Sequence, residues 1–148
     1  MVDVGAKAET AREAIASAAV HMSPATLALV VAGTGASGKG DVLAVARVAA
    51  VTALKRTADL IPLCHPVRVV GADVELTPDP HLPGVRVRVT VRAWDRTGVE
   101  MEAMVGASAA ALTIYDMVKG AERGVEIQAL RLEVKRGGKS GEWRRSRA

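Results

Sequence analysis

The sequence predicts an α+β fold, in which an antiparallel sheet carries helices on one face. Residues 85–94 alternate valine with arginine and other polar residues, which is typical of a strand with one buried and one wet face. Residues 40–58 and 99–119 are rich in alanine and other helix formers. The predicted elements run helix, strand, strand, helix, strand. Because strands and helices do not alternate regularly, a parallel sheet is not expected.

The composition describes one globular domain, residues 1–148. Apolar residues make up 49% of the chain and charged residues 24%. The sequence contains no run of eighteen apolar residues, so no transmembrane helix is predicted. The charged N-terminus does not match a signal peptide. A single cysteine, Cys64, fits a reducing compartment. We therefore expect a cytoplasmic protein with no membrane partner.

The first third of the chain contains one ambiguous segment and one clear helix. Residues 11–22 have helical propensity, yet their apolar and polar positions also alternate, so a helix and a strand are equally supported. Ser23 as cap, Pro24 at the first helical position and Gly33 as terminator predict a short helix. Asp41 is expected to cap the first long helix.

The second half predicts a hairpin, a buried helix and a last strand. Residues 67–76 are strand-like, and the proline-rich link 77–84 joins them to the alternating strand as an antiparallel hairpin with a long loop. Gly106 and its small neighbours give the second long helix a slender middle, so we expect it to be heavily buried. Residues 124–135 predict a strand whose alternation shifts near Ala129, which indicates a bulge.

The chain ends in a basic segment, which we expect to be a flexible tail from about residue 143. Such basic groups could also gather around an anionic substrate. A nucleic-acid partner is not predicted, because the absence of phenylalanine, with one tyrosine and two tryptophans, leaves few side chains for stacking on bases.

The loop of residues 33–40 resembles two phosphate-binding loops. Gly33, Gly35 and Gly38 have G-x-G-x-x-G spacing, and a G-x-x-x-x-G-K pattern ends at Lys39. A Walker A loop needs serine or threonine next, but a glycine follows, and a dinucleotide-binding loop needs an acid at the end of a second strand. A generic nucleotide-binding protein using this loop is therefore the alternative function. A glycine-flanked lysine that approaches an anion closely is the simpler interpretation.

Cys64 and His65 lie in a stiff segment between Pro62 and Pro66. A tight turn with a buried cysteine would explain this segment structurally. A metal site is not predicted, because adjacent cysteine and histidine side chains chelate one ion poorly and no other cysteine is available. The same adjacency is a poor geometry for a thiolate–imidazole pair.

Two pairs of charged residues flank the second long helix. Glu100 and Glu102 could favour the helix dipole, or could accept hydrogen bonds from N–H groups such as those of a guanine edge. Asp116 and Lys119 could form an ordinary i,i+3 ion pair. Because the preceding turns are apolar, Lys119 could instead be partly desolvated, with a lowered pKa suited to acid–base chemistry.

Residues 39–66, 97–119 and 137–141 together resemble the MoaC family of molybdenum cofactor biosynthesis, and the resemblance spans nearly the whole chain. The family pattern at the loop is K-G-D, so the loop is interpreted as a carrier for Lys39. The resemblance implies conversion of 3′,8-cyclo-7,8-dihydro-GTP, made by a radical enzyme, to cyclic pyranopterin monophosphate with release of pyrophosphate. No redox cofactor is expected, and magnesium could accompany the pyrophosphate.

The resemblance also implies the residues of the site. Its catalytic positions are Lys39, Lys119 and Asp116. Its substrate-binding positions are Leu63, Cys64, His65, Met101, Glu102, Glu100, Lys135, Lys139 and Arg12. The two catalytic lysines would shuttle protons, each lowering the other's pKa, while Asp116 orients Lys119. His65 and the C-terminal lysines would hold phosphates, and Glu102, with Glu100, would hold the base.

The implied fold is ferredoxin-like, with residues 11–22 as an edge strand. The implied assembly is a homohexamer, a trimer of dimers, with sites between subunits. We therefore expect the ammonium groups of Lys39 and Lys119 to converge on one triphosphate-bearing substrate at a contact between two copies.

Overall fold

The computed structural model describes residues 1–34 and 38–146. Gly35 of the glycine-rich loop lies outside the described residues. Along the chain the elements are β1 (Thr10–His21), α1 (Pro24–Val31), α2 (Val42–Leu54), α3 (Thr57–Leu60), β2 (Val69–Asp79), β3 (Gly84–Asp95), α4 (Glu100–Val118), β4 (Glu126–Arg136) and β5 (Trp143–Arg144).

The five strands form one antiparallel sheet in the order β2-β3-β1-β4-β5, with the helices packed on one face, so the predicted α+β, ferredoxin-like architecture is confirmed. Of the two structures left open for residues 11–22, the strand is observed. The expectation of an edge strand is wrong, because β1 is central and pairs with β3 on one side and β4 on the other. Hydrogen bonding to a neighbouring strand on each side outweighs the helical propensity of the alanines in β1.

The core forms where α4 lies on β1 and β3. Ala14, Ala16 and Ala18 of β1 are buried on the helix side of the sheet. Gly106 of α4 sits so close that a Cβ atom there would be 3.2 Å from Val89 Cγ1. With Ala107, Ala110 and Ala111 also buried, this confirms the expectation that α4 is heavily buried.

Capping residues fix the starts of α1 and α2. The Ser23 side chain accepts a hydrogen bond from the Thr26 N–H, with Pro24 in the first turn of α1. The Asp41 side chain accepts from two N–H groups of α2, as predicted. The single predicted helix over residues 40–58 is wrong in its extent, because the chain turns after Leu54 and the short α3 follows.

The strands run further than their sequence patterns predict. β2 continues to Asp79 and β3 begins at Gly84, so the hairpin turn is shorter than expected. Ala129 has a φ of 51°, and the β1–β4 register shifts there, which confirms the bulge. Trp143–Arg144 pairs with β4 as β5, so the predicted tail begins with hydrogen-bonded residues.

The face of the sheet opposite the helices is polar. A groove of about 820 Å³ lies on it and includes Ser17, Glu75, Arg88 and Arg131. None of the helices in residues 1–34 and 38–146 has the length and apolar character needed to cross a membrane.

We predict that Gly84→Ala destabilises the fold. Gly84 has a φ of 153°, and an added Cβ would lie 2.0 Å from the Val20 carbonyl oxygen. Strain of this kind lowers the free energy of unfolding by about 1–3 kcal/mol, which urea denaturation would measure. Gly124→Ala is the matched control, since nothing lies within 4 Å of its added Cβ. Equal stability of the two variants would contradict the prediction.

Candidate active site

Two lysines from distant parts of the chain share the Asp116 carboxylate. Lys119 Nζ lies 2.6 Å from Asp116 Oδ1, and Lys39 Nζ lies 3.3 Å from Asp116 Oδ2. Asp116 lies in the last turn of α4 and Lys119 caps its C-terminus, while Lys39 precedes the Asp41 cap of α2. We call Lys39, Asp116 and Lys119 the lysine cluster. It brings together the three residues predicted to be catalytic.

The lysine cluster is open to solvent, with each of its side chains about half exposed. Hydrogen bonds from Lys119 and then Lys39 lower the pKa of Asp116. The hydrogen bond to Asp116 raises the pKa of Lys119. The expectation of a lowered Lys119 pKa is therefore wrong for the single chain, because a close carboxylate outweighs the slight desolvation of an exposed ammonium group.

A second group of predicted residues surrounds a cavity of about 490 Å³ at the N-terminal end of α4, which we call the α4 cavity. Six predicted substrate-binding residues line it: Leu63, Cys64, His65, Glu100, Met101 and Glu102. Residues that the sequence analysis did not predict also line it: Val2, Val4, Lys7, Val67, Thr97 and Gly98. The N-terminal residues carry no recognisable chemical motif, so only the folded chain reveals their position.

The segment before β2 delivers Cys64 and His65 to the α4 cavity through a tight turn. The Cys64 N–H donates to the Ile61 carbonyl at 3.1 Å. Burial, followed by the nearby charge of Glu102, raises the pKa of the Cys64 thiol. Cys64 therefore lines the cavity as a neutral thiol. The tight turn at residues 61–64 also places Cys64 beside Glu102.

Glu102 is the buried carboxyl group of the site, with 4% of its surface exposed. Burial raises its pKa to about 7, and the charges of Glu100 and Asp95 act in the same direction. The sequence pattern predicted that Glu102 lies in the first turn of α4. It could not predict the raised pKa, because the desolvation of Glu102 depends on the end of β3 and the turn before β2, which pack around the start of α4.

Arg12, also predicted to bind substrate, supports the α4 cavity from the sheet. Its guanidinium donates to the Asp95 carbonyl at 3.1 Å and to the Arg96 carbonyl at 3.1 Å, where the chain leaves β3 toward the cavity. A Cβ atom on Gly138 would lie 1.9 Å from Arg12 Nη1, so the loop after β4 packs directly on this arginine.

The two predicted C-terminal lysines lie on or beside that same loop. Lys135 Nζ donates to the Gly137 carbonyl at 3.0 Å and to the Ser140 hydroxyl. Lys139 is exposed. Within the described residues, no three histidine, cysteine, aspartate or glutamate side chains cluster in a way that could hold a metal ion.

Glu122 joins the lysine cluster to α1, a link that sequence reasoning missed. Its carboxylate accepts hydrogen bonds from the Thr26 hydroxyl at 2.6 Å and from the Ser23 hydroxyl at 2.8 Å. These bonds, led by that of Thr26, lower the pKa of Glu122. They tie the segment after Lys119 to the start of the helix that leads toward Lys39.

The lysine cluster and the α4 cavity lie at opposite ends of α4. Asp116 follows Glu102 by fourteen positions in one continuous helix. At about 1.5 Å per residue, the two carboxyl-bearing positions are about 21 Å apart along the helix axis. One chain therefore gathers the predicted residues into two separate groups.

We predict that Glu102 makes stability fall as pH rises. A carboxyl group with a folded pKa of about 7 and an unfolded pKa of about 4.3 favours folding most at low pH, and this contribution is lost as pH rises through 7. Relative to Glu102→Gln, the free energy of unfolding of the unmodified protein should fall by about 2–3 kcal/mol between about pH 5 and pH 8. Urea denaturation at both pH values measures this difference in the free energy of unfolding.

Glu100→Gln is the control and should keep most of this pH dependence. If Glu102→Gln and the unmodified protein lose stability in parallel as pH rises, the prediction is contradicted.

Comparison with known proteins supports one family. Residues 1–138 match the MoaC family. Proteins named cyclic pyranopterin monophosphate synthase from Brucella ovis and Brucella melitensis are each 55% identical over 143 residues, which cover 97% of this chain and 86% of each relative. The protein of the same name from Brucella canis is 54% identical over an equal length. This chain belongs to the MoaC family.

Proposed function

We propose that this chain converts 3′,8-cyclo-7,8-dihydroguanosine 5′-triphosphate to cyclic pyranopterin monophosphate and releases pyrophosphate, an early step of molybdenum cofactor biosynthesis. Family membership and relatives of that name at 55% identity support this proposal. The observation that carries it is the lysine cluster, in which residues 77 positions apart meet at one carboxylate. The reaction opens a purine-derived ring, closes a pterin ring and forms a cyclic phosphate, so it needs acid–base groups beside a cation-rich surface.

The alternative function, nucleotide binding by the loop of residues 33–40, is not favoured. Both nucleotide-binding loops that it resembles follow a strand of a parallel sheet. Here the loop follows α1, and the sheet is antiparallel.

In the proposed site, the lysine cluster attracts and protonates the substrate. Two ammonium groups and one carboxylate leave a net charge of +1 (2 − 1), which favours a triphosphate. The ammonium group of Lys119, which Asp116 keeps charged, donates a proton or stabilises developing negative charge. Lys39 faces the same carboxylate and is the second group that moves a proton, while Asp116 orients both lysines.

The α4 cavity binds the guanine-derived part of the substrate. With a pKa of about 7, Glu102 is present at neutral pH in both protonated and ionised forms. It can therefore accept a hydrogen bond from an N–H group of the base or donate one to a ring acceptor. His65, Lys135, Lys139 and Arg12 hold phosphates in this proposal, and any magnesium arrives with the pyrophosphate.

The separation of the two groups along α4 supports a site that two copies complete together. One substrate cannot contact both ends of a helix about 21 Å apart and still be held tightly by each. We propose that the lysine cluster of one copy faces the α4 cavity of another within a homohexamer built as a trimer of dimers. The substrate comes from a radical enzyme that cyclises GTP, and the single cysteine fits a cytoplasmic location.

The direct test is conversion of the purified cyclised triphosphate to equal amounts of cyclic pyranopterin monophosphate and pyrophosphate. Lys39→Ala should lower kcat by about 10²–10⁴-fold, because a proton-transferring group is lost, while substrate binding persists. The control Lys55→Ala removes an exposed lysine at the C-cap of α2 and should keep normal activity. Full activity of Lys39→Ala would refute the role of Lys39, and absence of product from the unmodified protein would refute the function.

Sharing of the site between copies predicts complementation. Lys119→Ala and Glu102→Gln should each be inactive, yet the two chains refolded together should recover about one quarter of normal activity. Half of the pairs are then mixed, and one of the two sites in each mixed pair has both residues intact. Refolding each variant alone is the control. Recovery no greater than that of the separate variants would show that each site is built within one chain.

A further inference from the structure

The groove on the face of the sheet opposite the helices has a floor of small residues. Ser17 and Ala19, on the central strand β1, line its middle. In the register of the sheet, Arg88 of β3 lies beside Ser17 on one side and Arg131 of β4 lies beside it on the other. Cross-strand partners share a face, so two long cationic side chains border a small one. We call the groove formed by these residues the arginine groove, and its full set of arginines is Arg86, Arg88, Arg131 and Arg145.

The arginines of the groove keep their terminal nitrogen atoms available for a ligand. Arg86, Arg131 and Arg145 each donate a hydrogen bond from Nε to a neighbouring acceptor, at 2.6, 2.8 and 2.8 Å respectively. Within residues 1–34 and 38–146, no hydrogen bond comes from the Nη atoms of these three side chains, and Arg88 makes no side-chain hydrogen bond. The Nε bonds therefore orient the guanidinium groups, and their Nη pairs can bind an anion.

The lining of the arginine groove is cationic. Its four arginines are opposed by two carboxylates, Glu75 and Glu133, which leaves a net charge of +2 (4 − 2). Glu133 is already engaged within the protein, because it accepts hydrogen bonds from the Ser17 hydroxyl and from Arg131. Positive charge and unused N–H donors around a floor of small residues suit an anionic ligand.

The backbone at the edge of the groove is strained. Ala129 of β4 lines the groove and has a φ of 51°, in the left-handed region that alanine rarely adopts. The pairing of β1 with β4 changes register between Ser17 and Ala19, at the floor of the groove. Bulges redirect the side chains of their strand, and strained residues are common at binding sites. The bulge is thus a second observation at this groove, independent of its charge.

We propose that the arginine groove binds the phosphate chain of a small molecule. Guanidinium groups bind phosphate oxygens in pairs, which gives both strength and geometric specificity. Neighbouring strands are about 4.8 Å apart, so Arg88 and Arg131, on either side of β1, begin about 10 Å apart. Arginines on opposite walls hold different phosphates of one chain. A diphosphate or triphosphate therefore contacts both walls, whereas a single phosphate contacts one.

This site is separate from the candidate active site. Of the described residues, none that lines the arginine groove also lines the α4 cavity or belongs to the lysine cluster. The helices, including α4, pack on the other face of the sheet. A ligand in the arginine groove therefore does not occupy the position of the substrate, and the inference does not depend on the proposed reaction.

Trp143 gives a direct signal for binding at the groove. The guanidinium carbon of Arg145 lies 5.8 Å from the centroid of the Trp143 ring, so an anion bound by Arg145 changes the charge beside the indole. The chain contains one other tryptophan, and Trp94→Phe leaves Trp143 as its only tryptophan. In this background, inorganic tripolyphosphate should change the tryptophan emission to saturation at constant ionic strength. Pyrophosphate should bind less tightly, and orthophosphate least tightly.

Arginine variants locate the binding site. In the Trp94→Phe background, the double variant Arg88→Ala and Arg131→Ala should weaken tripolyphosphate binding by about tenfold or more, because it removes charged hydrogen bonds from both walls. Arg56→Ala is the matched control, since Arg56 is an exposed arginine beside α3, and it should bind normally. Equal affinity of the double variant and Arg56→Ala would overturn the site.

A lysine-cluster variant separates this signal from binding at the candidate active site. Lys39→Ala in the Trp94→Phe background should give the same tripolyphosphate affinity as the background itself. A loss of the Trp143 signal in Lys39→Ala as large as that in the double arginine variant would overturn the proposal of a second site.

A carboxylate on the floor of the groove gives a test that keeps every arginine. Ala19→Glu should abolish the signal, because its charge repels the phosphates. Thr90→Glu is the matched control, since Thr90 lies on the same face of β3 as Arg88 but does not line the groove, and it should bind normally. With folding verified by circular dichroism, equal binding by Ala19→Glu and Thr90→Glu would overturn the proposal.

The choice of anion tests the class of ligand. Equal affinity for orthophosphate and tripolyphosphate would overturn the proposal of a phosphate chain. Displacement of tripolyphosphate by GTP would support a nucleotide as the source of the chain, and no displacement would support an inorganic chain. None of these measurements requires turnover, so failure of the groove site and failure of the proposed function are separate results.

Discussion

The close contact between α4 and the sheet is the constraint on which the site depends. Gly106, where an added Cβ would lie 3.2 Å from Val89 Cγ1, and the fully buried Ala103 and Ala107 let the helix lie closely on the strands. The helix is thereby packed against β1 and β3. A firmly packed helix fixes the positions of the residues at both of its ends, which is the precision that acid–base groups require.

The two ends of α4 place their ionisable groups in opposite environments. The lysine cluster is half exposed, so its charges are solvated and the carboxylate of Asp116 keeps Lys119 protonated. The α4 cavity buries Glu102, so desolvation favours the neutral acid. A charged, open group suits the phosphates of a substrate, while a buried acid that titrates near neutrality suits a base with both donors and acceptors.

Much of the fold follows from local patterns, and its exceptions have physical causes. The alternation of β3, the caps Ser23 and Asp41 and the bulge at Ala129 are local signals, and the structure confirms them. β1 was ambiguous because alanine favours helices, whereas its strand structure depends on pairing with two distant strands.

Local sequence patterns predicted less of the candidate site than of the fold. The resemblance supplied its residues, but the meeting of Lys39 with Asp116 joins positions 77 residues apart, and no local spacing encodes it. The raised pKa values of Glu102 and Lys119 depend on burial and on a carboxylate at hydrogen-bond distance. Such quantities belong to the packed chain, so they could not be derived from the order of its residues.

The continuous α4 also restricts how this protein can evolve. Inserting or deleting one residue in its middle would rotate everything beyond that point by about 100° and shift it by about 1.5 Å. Asp116 and Lys119 would then leave the side of the helix on which Met101 lies. Changes of chain length are tolerable in turns such as residues 80–83, whereas descendants that keep this chemistry can alter α4 by replacement alone.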